Sequence, residues 1–251
     1  MRDHLVGAAI GALAFSGIDD RASAGDLYAV AGGGSVMMAG GENVGSMAPT
    51  GEGPAPSFIF DTRYADGIFL TAGYGKRSAY GPFRSELELS YTRQDVEKHT
   101  RPRLDGLDAG DLPGTDIFGA EAPPGPTVSQ LLGDARGSIE AGTIMLNAYW
   151  DIPVGHDGVL PYLGAGVGGS YVDAEFQPGG TDFIDARDLV LSYQAMAGLQ
   201  ARLGEAHYLR AGVRYRATGD VEVDADVPTL GGTFELEMKQ VIFEVGIRRD
   251  F

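Results

Sequence analysis

The sequence predicts an all-β chain, an eight-stranded antiparallel up-and-down transmembrane β-barrel. Three observations predict it. Segments of period-two polarity recur along the chain, the pattern of strands whose two faces meet different surroundings. The links between them alternate strictly between long and short, as in barrels with tight turns on one side of a membrane and longer loops on the other. Glycine supplies 39 of the 251 residues and only 43% of the chain is hydrophobic. That composition suits tightly packed strands and excludes a bundle of membrane helices, each of which needs about 20 mostly apolar residues.

The strands follow in order. Leu27–Met38 is a glycine-rich apolar strand whose facing the pattern leaves open. In Ile68–Tyr74, Ile68, Leu70, Ala72 and Tyr74 oppose Phe69, Thr71 and Gly73. In Glu86–Tyr91, Leu87, Leu89 and Tyr91 alternate with Glu86, Glu88 and Ser90. Thr143–Trp150 sets Ile144, Leu146, Ala148 and Trp150 against Met145, Asn147 and Tyr149. Tyr162–Ser170 sets Leu163, Ala165 and Val167 against Tyr162, Gly164, Gly166, Gly168 and Ser170. Tyr193–Arg202 opposes an alanine-rich face to Gln194, Met196, Gly198, Gln200 and Arg202. Leu209–Tyr215 carries Leu209, Ala211, Val213 and Tyr215 on one face, with Arg210, Gly212, Arg214 and then Arg216 on the other. The last strand alternates Val241, Phe243, Val245 and Ile247 with Gln240, Ile242, Glu244, Gly246 and Arg248. Each is near the about 9–11 residues that cross a bilayer at a tilt. The links Gly40–Ala65, Gln94–Arg136, Gln177–Arg187 and Gly219–Thr233 are medium to very long, whereas Arg77–Pro82, Pro153–Gly158 and Gly204–Ala206 are short.

Periodicity alone does not say which face is inside: a soluble barrel buries its apolar face, and a membrane barrel turns it to lipid. Three features favour lipid. The opposite face is rich in Gly, Arg, Glu, Gln and Tyr, which suits a crowded narrow lumen. Aromatics stand near strand ends, with Trp150, Tyr149, Tyr162 and Tyr208 by short turns and Tyr91 and Tyr171 toward long links. The chain ends on Phe251 directly after an alternating strand.

Composition narrows the partners. The net charge of −16 argues against nucleic acid, which is held by cationic side chains. The lack of cysteine excludes disulfides, thiolate catalysis and cysteine-based zinc sites. Residues 1–24 read as a signal peptide: Arg2 in a short n-region, an apolar run Leu5–Ile18, and Ala22-Ser23-Ala24 before Gly25. The barrel domain is then 25–251.

An eight-stranded barrel is only wide enough inside for its own side chains. Glu86, Glu88, Arg210, Arg214, Arg216 and Glu244 all fall on the charged face and are the candidates for interior ion pairs, because an unpaired buried charge is costly. Arg214 is expected to cluster with Glu244 and with Glu86 or Glu88. Such a cluster is either a structural plug or a gate whose pairs exchange. No catalytic set is found: His4 lies in the signal, His99 in a long link, and His156 and His207 by short turns. Asp105, Asp108, Asp111 and Asp116, and then Asp182, Asp185 and Asp188, make the long links acidic without the close spacing of a calcium loop. No metal or cofactor is expected, and these links read as solvated surface. Thr127–Ala135 reads as a short helix after the Pro123-Pro124-Gly125-Pro126 breaker.

Ser85–Tyr91 with Arg93, Met145–Asp151, Pro161–Gly168, Ala211–Arg216 and Phe243–Phe251 resemble, in order and spacing, the small outer-membrane barrels of the OmpA-like and opacity-protein-like surface antigens of alphaproteobacteria. The resemblance implies a multi-pass protein of the bacterial outer membrane with a structural or porin-like role, no enzymatic activity and long acidic extracellular loops. It implies contact with outer-membrane lipid, with the barrel-assembly machinery during insertion, and with an extracellular receptor through those loops. It places an assembly signal on Glu244, Gly246 and Phe251, with Arg249 standing where an aromatic or apolar residue is usual. It implies no peptidoglycan-binding domain after the barrel. The competing readings are a soluble lipocalin-like barrel around an apolar ligand, which the charged glycine-rich face would oppose if internal, and an outer-membrane lipid-modifying enzyme.

Overall fold

The computed structural model describes residues 26–46, 56–118, 122–133, 136–154, 158–177, 184–219, 221–224, 233–236 and 238–251. The segment read as a signal peptide lies outside them.

Eight strands close into a ring. They are β1 (Leu27–Met38), β4 (Gly67–Arg77), β5 (Phe83–Leu104), β7 (Arg136–Asp151), β8 (Val159–Gln177), β9 (Ile184–Arg202), β10 (His207–Thr218) and β13 (Lys239–Asp250). Neighbours in sequence pair antiparallel, and β1 pairs with β13 to close the barrel, with Tyr28 opposite Asp250 and Met38 opposite Gln240. Both ends of the described chain therefore lie at the end of the barrel that carries the short links. Closure removes the sheet edges and pairs the wall's backbone polar groups, which a bilayer requires.

The facing is the membrane one. Ile68, Leu70, Leu87, Leu89, Ile144, Leu146, Leu163, Val167, Leu191, Leu199, Leu209, Val213, Phe243, Val245 and Ile247 stand on the outer wall, while Glu86, Glu88, Asn147, Gln194, Arg210 and Arg214 are buried inside. β1 turns Tyr28, Val30, Val36 and Met38 inward, which its sequence left open. On β7 the apolar outer stretch runs from Trp150 to Ile144, and Glu140 is the first charge above it. The ten residues 141–150 below Glu140 match the about 9–11 residues a tilted strand needs. Cross-strand neighbours continue the boundary around the wall: Arg93 faces Glu140, Glu140 faces Asp173, and Asp173 faces Arg187. Arg93 and Glu140 pair at 2.9 Å, Arg187 and Asp173 at 2.9 Å, and Tyr91 donates its hydroxyl to Glu140.

Trp150 and Tyr171 are exposed on the outer wall, and Tyr149 and Tyr162 are buried in the lumen, on the faces that their alternation gives them. One expectation is corrected: among the described residues the long links are not all open loops. Within 40–65 lie β2 (Gly41–Ser46) and β3 (Ser57–Tyr64), and β5 itself runs on to Leu104. Within 94–136 lie β6 (Leu107–Asp108), α1 (Gly114–Phe118) and α2 (Val128–Gly133), the last inside the segment read as helical. Two further short strands, β11 (Val221–Asp224) and β12 (Thr233–Leu236), join β2 and β3 in a second sheet built on the upper part of β5. Most of the residues buried in this upper part are apolar, and packing them offsets the ordering of a long link.

β5 reaches this sheet through two bulges. Ile59 faces Arg103 while Asp61 faces Thr100, and Arg63 faces Lys98 while Tyr64 faces Val96, so β5 carries an extra residue at each step. At the upper bulge Arg101 has φ 55°, a left-handed conformation that costs a non-glycine residue about 1–2 kcal/mol.

Candidate functional site: the lumen

The lumen is filled in layers. Nearest the short links, Arg84 forms a bidentate pair with Asp151 at 2.7 and 2.9 Å and donates to the Tyr28 hydroxyl. Gln200 donates to the same carboxylate, and Arg248 donates to Gln200 and pairs with Asp250. The Arg248 guanidinium also lies 4.2 Å from the centre of the Tyr208 ring, a cation–π contact.

Above this layer Tyr149 and Tyr162 meet edge to face with ring centroids 5.7 Å apart. Arg210 lies against both rings and pairs with Glu86 at 3.4 Å, and Tyr149 donates its hydroxyl to Glu86. Small residues make room for the large ones: a Cβ at Gly198 or Gly212 would lie 2.5 Å from the Tyr162 hydroxyl oxygen. This large-with-small pairing is how a narrow barrel fills its interior.

The central layer is held by Arg214. It donates to Glu88 at 2.5 Å, to Gln194 at 2.9 Å and to Glu244 at 2.7 Å, so one guanidinium joins β10 to β5, β9 and β13. Arg216 donates to Glu88, Ser90 and Gln194. Asn147 donates to the second Glu88 oxygen, and Gln194 donates to Asn147. Arg210, Arg214 and Arg216 thus meet Glu86, Glu88 and Glu244, three charges of each sign. The structure buries all six residues singled out in the sequence in the lumen, in two adjacent groups, Arg210 with Glu86 and Arg214 and Arg216 with Glu88 and Glu244. Thr143, Ser170 and Ser192 form a hydroxyl chain just above, at 2.8 and 2.7 Å.

Of the three residues read as an assembly signal, Glu244 is inside the lumen on Arg214, and Gly246 packs against the backbone of Ala31 and Gly32 on β1. Phe251 is part-exposed at the barrel end, with the Arg249 guanidinium 5.4 Å from its ring centre.

At the opposite end the lining becomes apolar. Met38, Phe58, Phe60, Val96, Ile139, Ala141, Val172, Ala174 and Val190 surround Ile117, Phe118, Ala122, Val128, Leu131 and Leu132, which come from the longest link. This link closes on itself: Pro113 and Thr127 form a bridge, Gly114 N donates to Pro126, and Val128 N donates to Leu112. It is a lid seated in the mouth of the barrel. Asp105, Asp108 and Asp111 are exposed, but the link's apolar residues are packed, so the reading of it as solvated surface is corrected. On the second sheet, Asn43 donates to Thr62 at 2.6 Å and the Thr62 hydroxyl meets His99 Nδ1 at 2.7 Å. Burial pushes the His99 pKa down to about 4.

Sequence reasoning missed the Arg84–Asp151–Arg248–Asp250 cluster. The signal was present: Arg84 sits two residues before Glu86 on the same face, and Arg248 lies on the charged face of the last strand.

A closed eight-stranded ring, apolar outside and polar inside, defines an outer-membrane β-barrel of the bacterial envelope. The chain belongs to the surface antigen family, whose model matches residues 61–246. Among solved structures it is similar to the outer membrane protein OprG from Pseudomonas aeruginosa, with 12% identity over 91% of this chain and 97% of that chain and a TM-score of 0.52. It is similar also to Neisserial surface protein A, with 17% identity over 90% and 99% of the two chains and a TM-score of 0.46. No curated protein matches the sequence.

Proposed function

We propose that the protein is a closed membrane anchor that displays an extracellular sheet at the cell surface, acting as a structural surface protein rather than as a diffusion porin or an enzyme. The observation that carries this reading is Arg214, buried and bridging Glu88 and Glu244 across the lumen. The apolar lid seated above it supports the same reading. The void beside Arg210, Arg214, Glu86 and Glu244 measures about 10 Å³, room for about one water molecule. A conducting pore would need a continuous wet path, and the packed layers oppose one.

The same reading places the long links outside the cell and both ends of the barrel chain in the periplasm. Residues 1–24 act as the export signal, Glu244, Gly246 and Phe251 serve recognition by the barrel-assembly machinery, and a receptor would meet the sheet of β2, β3, β5 and β6. The test is single-channel recording with the full chain in planar bilayers. No steady unitary current is expected. Regular current steps from the parent protein would overturn the closed anchor and restore the gated pore, in which case Arg214→Ala should enlarge them.

A further inference from the structure

On the extracellular side β5, β3 and the β5–β6 hairpin enclose an open groove of about 490 Å³, lined by Asp61, Arg101, Pro102, Arg103, Gly106 and Asp108. The volume is within the range of small-ligand sites, about 300–1,000 Å³. The backbone beside it has an unusual feature. Asp105 and Gly106 have positive φ, as the tight turn of a hairpin requires. Arg101 has positive φ as well, at the first position of a bulge where glycine is the ordinary occupant. A bulge re-aims the side chain it carries. Here it directs Arg101 over the groove and against Asp61, with the side chain still 78% exposed. An ion pair that exposed adds little to stability. The arginine at this strained place is therefore better explained by the groove it reaches than by the fold.

The lining decides the class of ligand. It has one apolar residue, Pro102, so it does not suit a hydrophobic guest. Asp61 and Asp108 set negative charge beside the two arginines, and the chain as a whole carries −16, so a polyanion is disfavoured. Carboxylates that accept and guanidiniums that donate, arranged around one open space, match a ligand whose groups do both, which is the property of hydroxyls. We propose that this groove binds a short neutral saccharide, with Asp61 and Asp108 accepting from sugar hydroxyls and Arg101 donating to them. The proposal requires the groove to face outward from the cell and does not depend on whether the lumen conducts.

The test uses the full chain in detergent micelles, with saturation-transfer NMR and titration calorimetry. Lactose and maltotriose are the neutral probes, with a 4-sulfated chondroitin disaccharide and tetra-alanine as comparators. Transfer to at least one neutral sugar is expected. Arg101→Gly should weaken that binding more than ten-fold while its melting temperature stays equal to or above that of the parent, because glycine relieves the backbone. Asp108→Asn, which leaves the bulge untouched, should weaken binding as well. The proposal is overturned if neither neutral sugar binds, if binding is confined to the sulfated disaccharide or the peptide, or if both variants bind like the parent.

Discussion

The membrane half of the barrel and the mouth that carries the long links are built from the same strands with opposite chemistry. In the lower half of β5, Glu86 and Glu88 point in and Leu87 and Leu89 point out; higher up, Val96 points in and Glu97 points out. On β8, Leu163, Val167 and Tyr171 face out below, and Asp173 and Glu175 face out above, where Val172 and Ala174 turn inward. β7 makes the same change between Ile144 and Glu140. The backbone does not alter at this level; the solvent outside it does. Where lipid surrounds the wall, the outer face must be apolar and the polar groups gather inside. Where water surrounds it, the ordinary rule returns and the interior becomes an apolar core. The row of Arg93, Glu140, Asp173 and Arg187 marks the change.

The largest expected effect breaks the polar half. Arg214→Ala strips Glu88 and Glu244 of their shared partner. Removing one member of a buried ion pair typically costs about 3–5 kcal/mol, less if water enters the gap. Arg249→Ala, on the outer face of β13, should cost far less. Urea unfolding followed by the gel shift between folded and heat-denatured barrel measures both. Equal midpoints for the two variants would mean that the network contributes nothing to holding the barrel.

The next effect sharpens the boundary. Leu146→Arg places a charge among the exposed apolar residues of the lipid belt, where it costs about 2–4 kcal/mol near the midplane. Glu175→Arg places one on the same kind of outward position above the row and should be nearly neutral. Insertion into preformed vesicles reads the contrast. Similar insertion by both variants would move the boundary away from Arg93 and Glu140.

The inversion also explains what was legible in the sequence. Alternation separates the two faces of every wall strand but β1, because lipid on one side enforces a strict pattern, and the chemistry of the polar, glycine-rich face, which carries the six charged residues, is what points it inward. On β5, β7 and β8 the reading stops near the place where that pattern turns over. Glu86–Tyr91 was a fraction of β5, and Tyr162–Ser170 ended one residue before Tyr171 and three before Asp173. Beyond those points the apolar residues change faces, and alternation averaged over a whole strand cancels. The lid was illegible for another reason. Ile117, Phe118, Leu131 and Leu132 are separated by prolines, glycines and acids, and it is residues of β1, β3, β5, β7, β8 and β9 that complete a core around them. The Arg84–Asp151 pair joins residues 67 apart in sequence, brought together by the pairing of β5 with β7 across the longest link.

A third effect breaks the apolar half. Leu131 is buried in the lid, and Leu131→Ala should cost about 2–4 kcal/mol there. The lid is an added module above a ring that closes without it, so the loss is expected locally. Protease applied to intact cells should cut the variant within 105–135 faster than the parent and spare the link 153–158, while the midpoint of barrel unfolding stays put. A fall in that midpoint matching the loss in the lid would mean that lid and barrel unfold as one unit.

The smallest effect separates the two halves by pH. His99 is buried in the second sheet against Thr62 and the Phe60 ring, and burial lowers its pKa from about 6.5 to about 4. The unfolded segment therefore takes up a proton at a higher pH than the folded one. Stability from this group is complete above about pH 6.5 and is lost as pH falls through the window down to about 4. Between pH 7 and 5.5 the loss is about 1 kcal/mol. It should be felt by β2, β3 and the upper part of β5 and not by the charged lumen below. Hydrogen exchange of the backbone amides at residues 58–62 should accelerate at pH 5.5 relative to the exchange expected from chemistry alone, and those at 86–90 should not. His99→Gln, which keeps a polar group near Thr62 but does not titrate, should abolish the difference. An unchanged pH response in that variant would assign it to other groups of the second sheet.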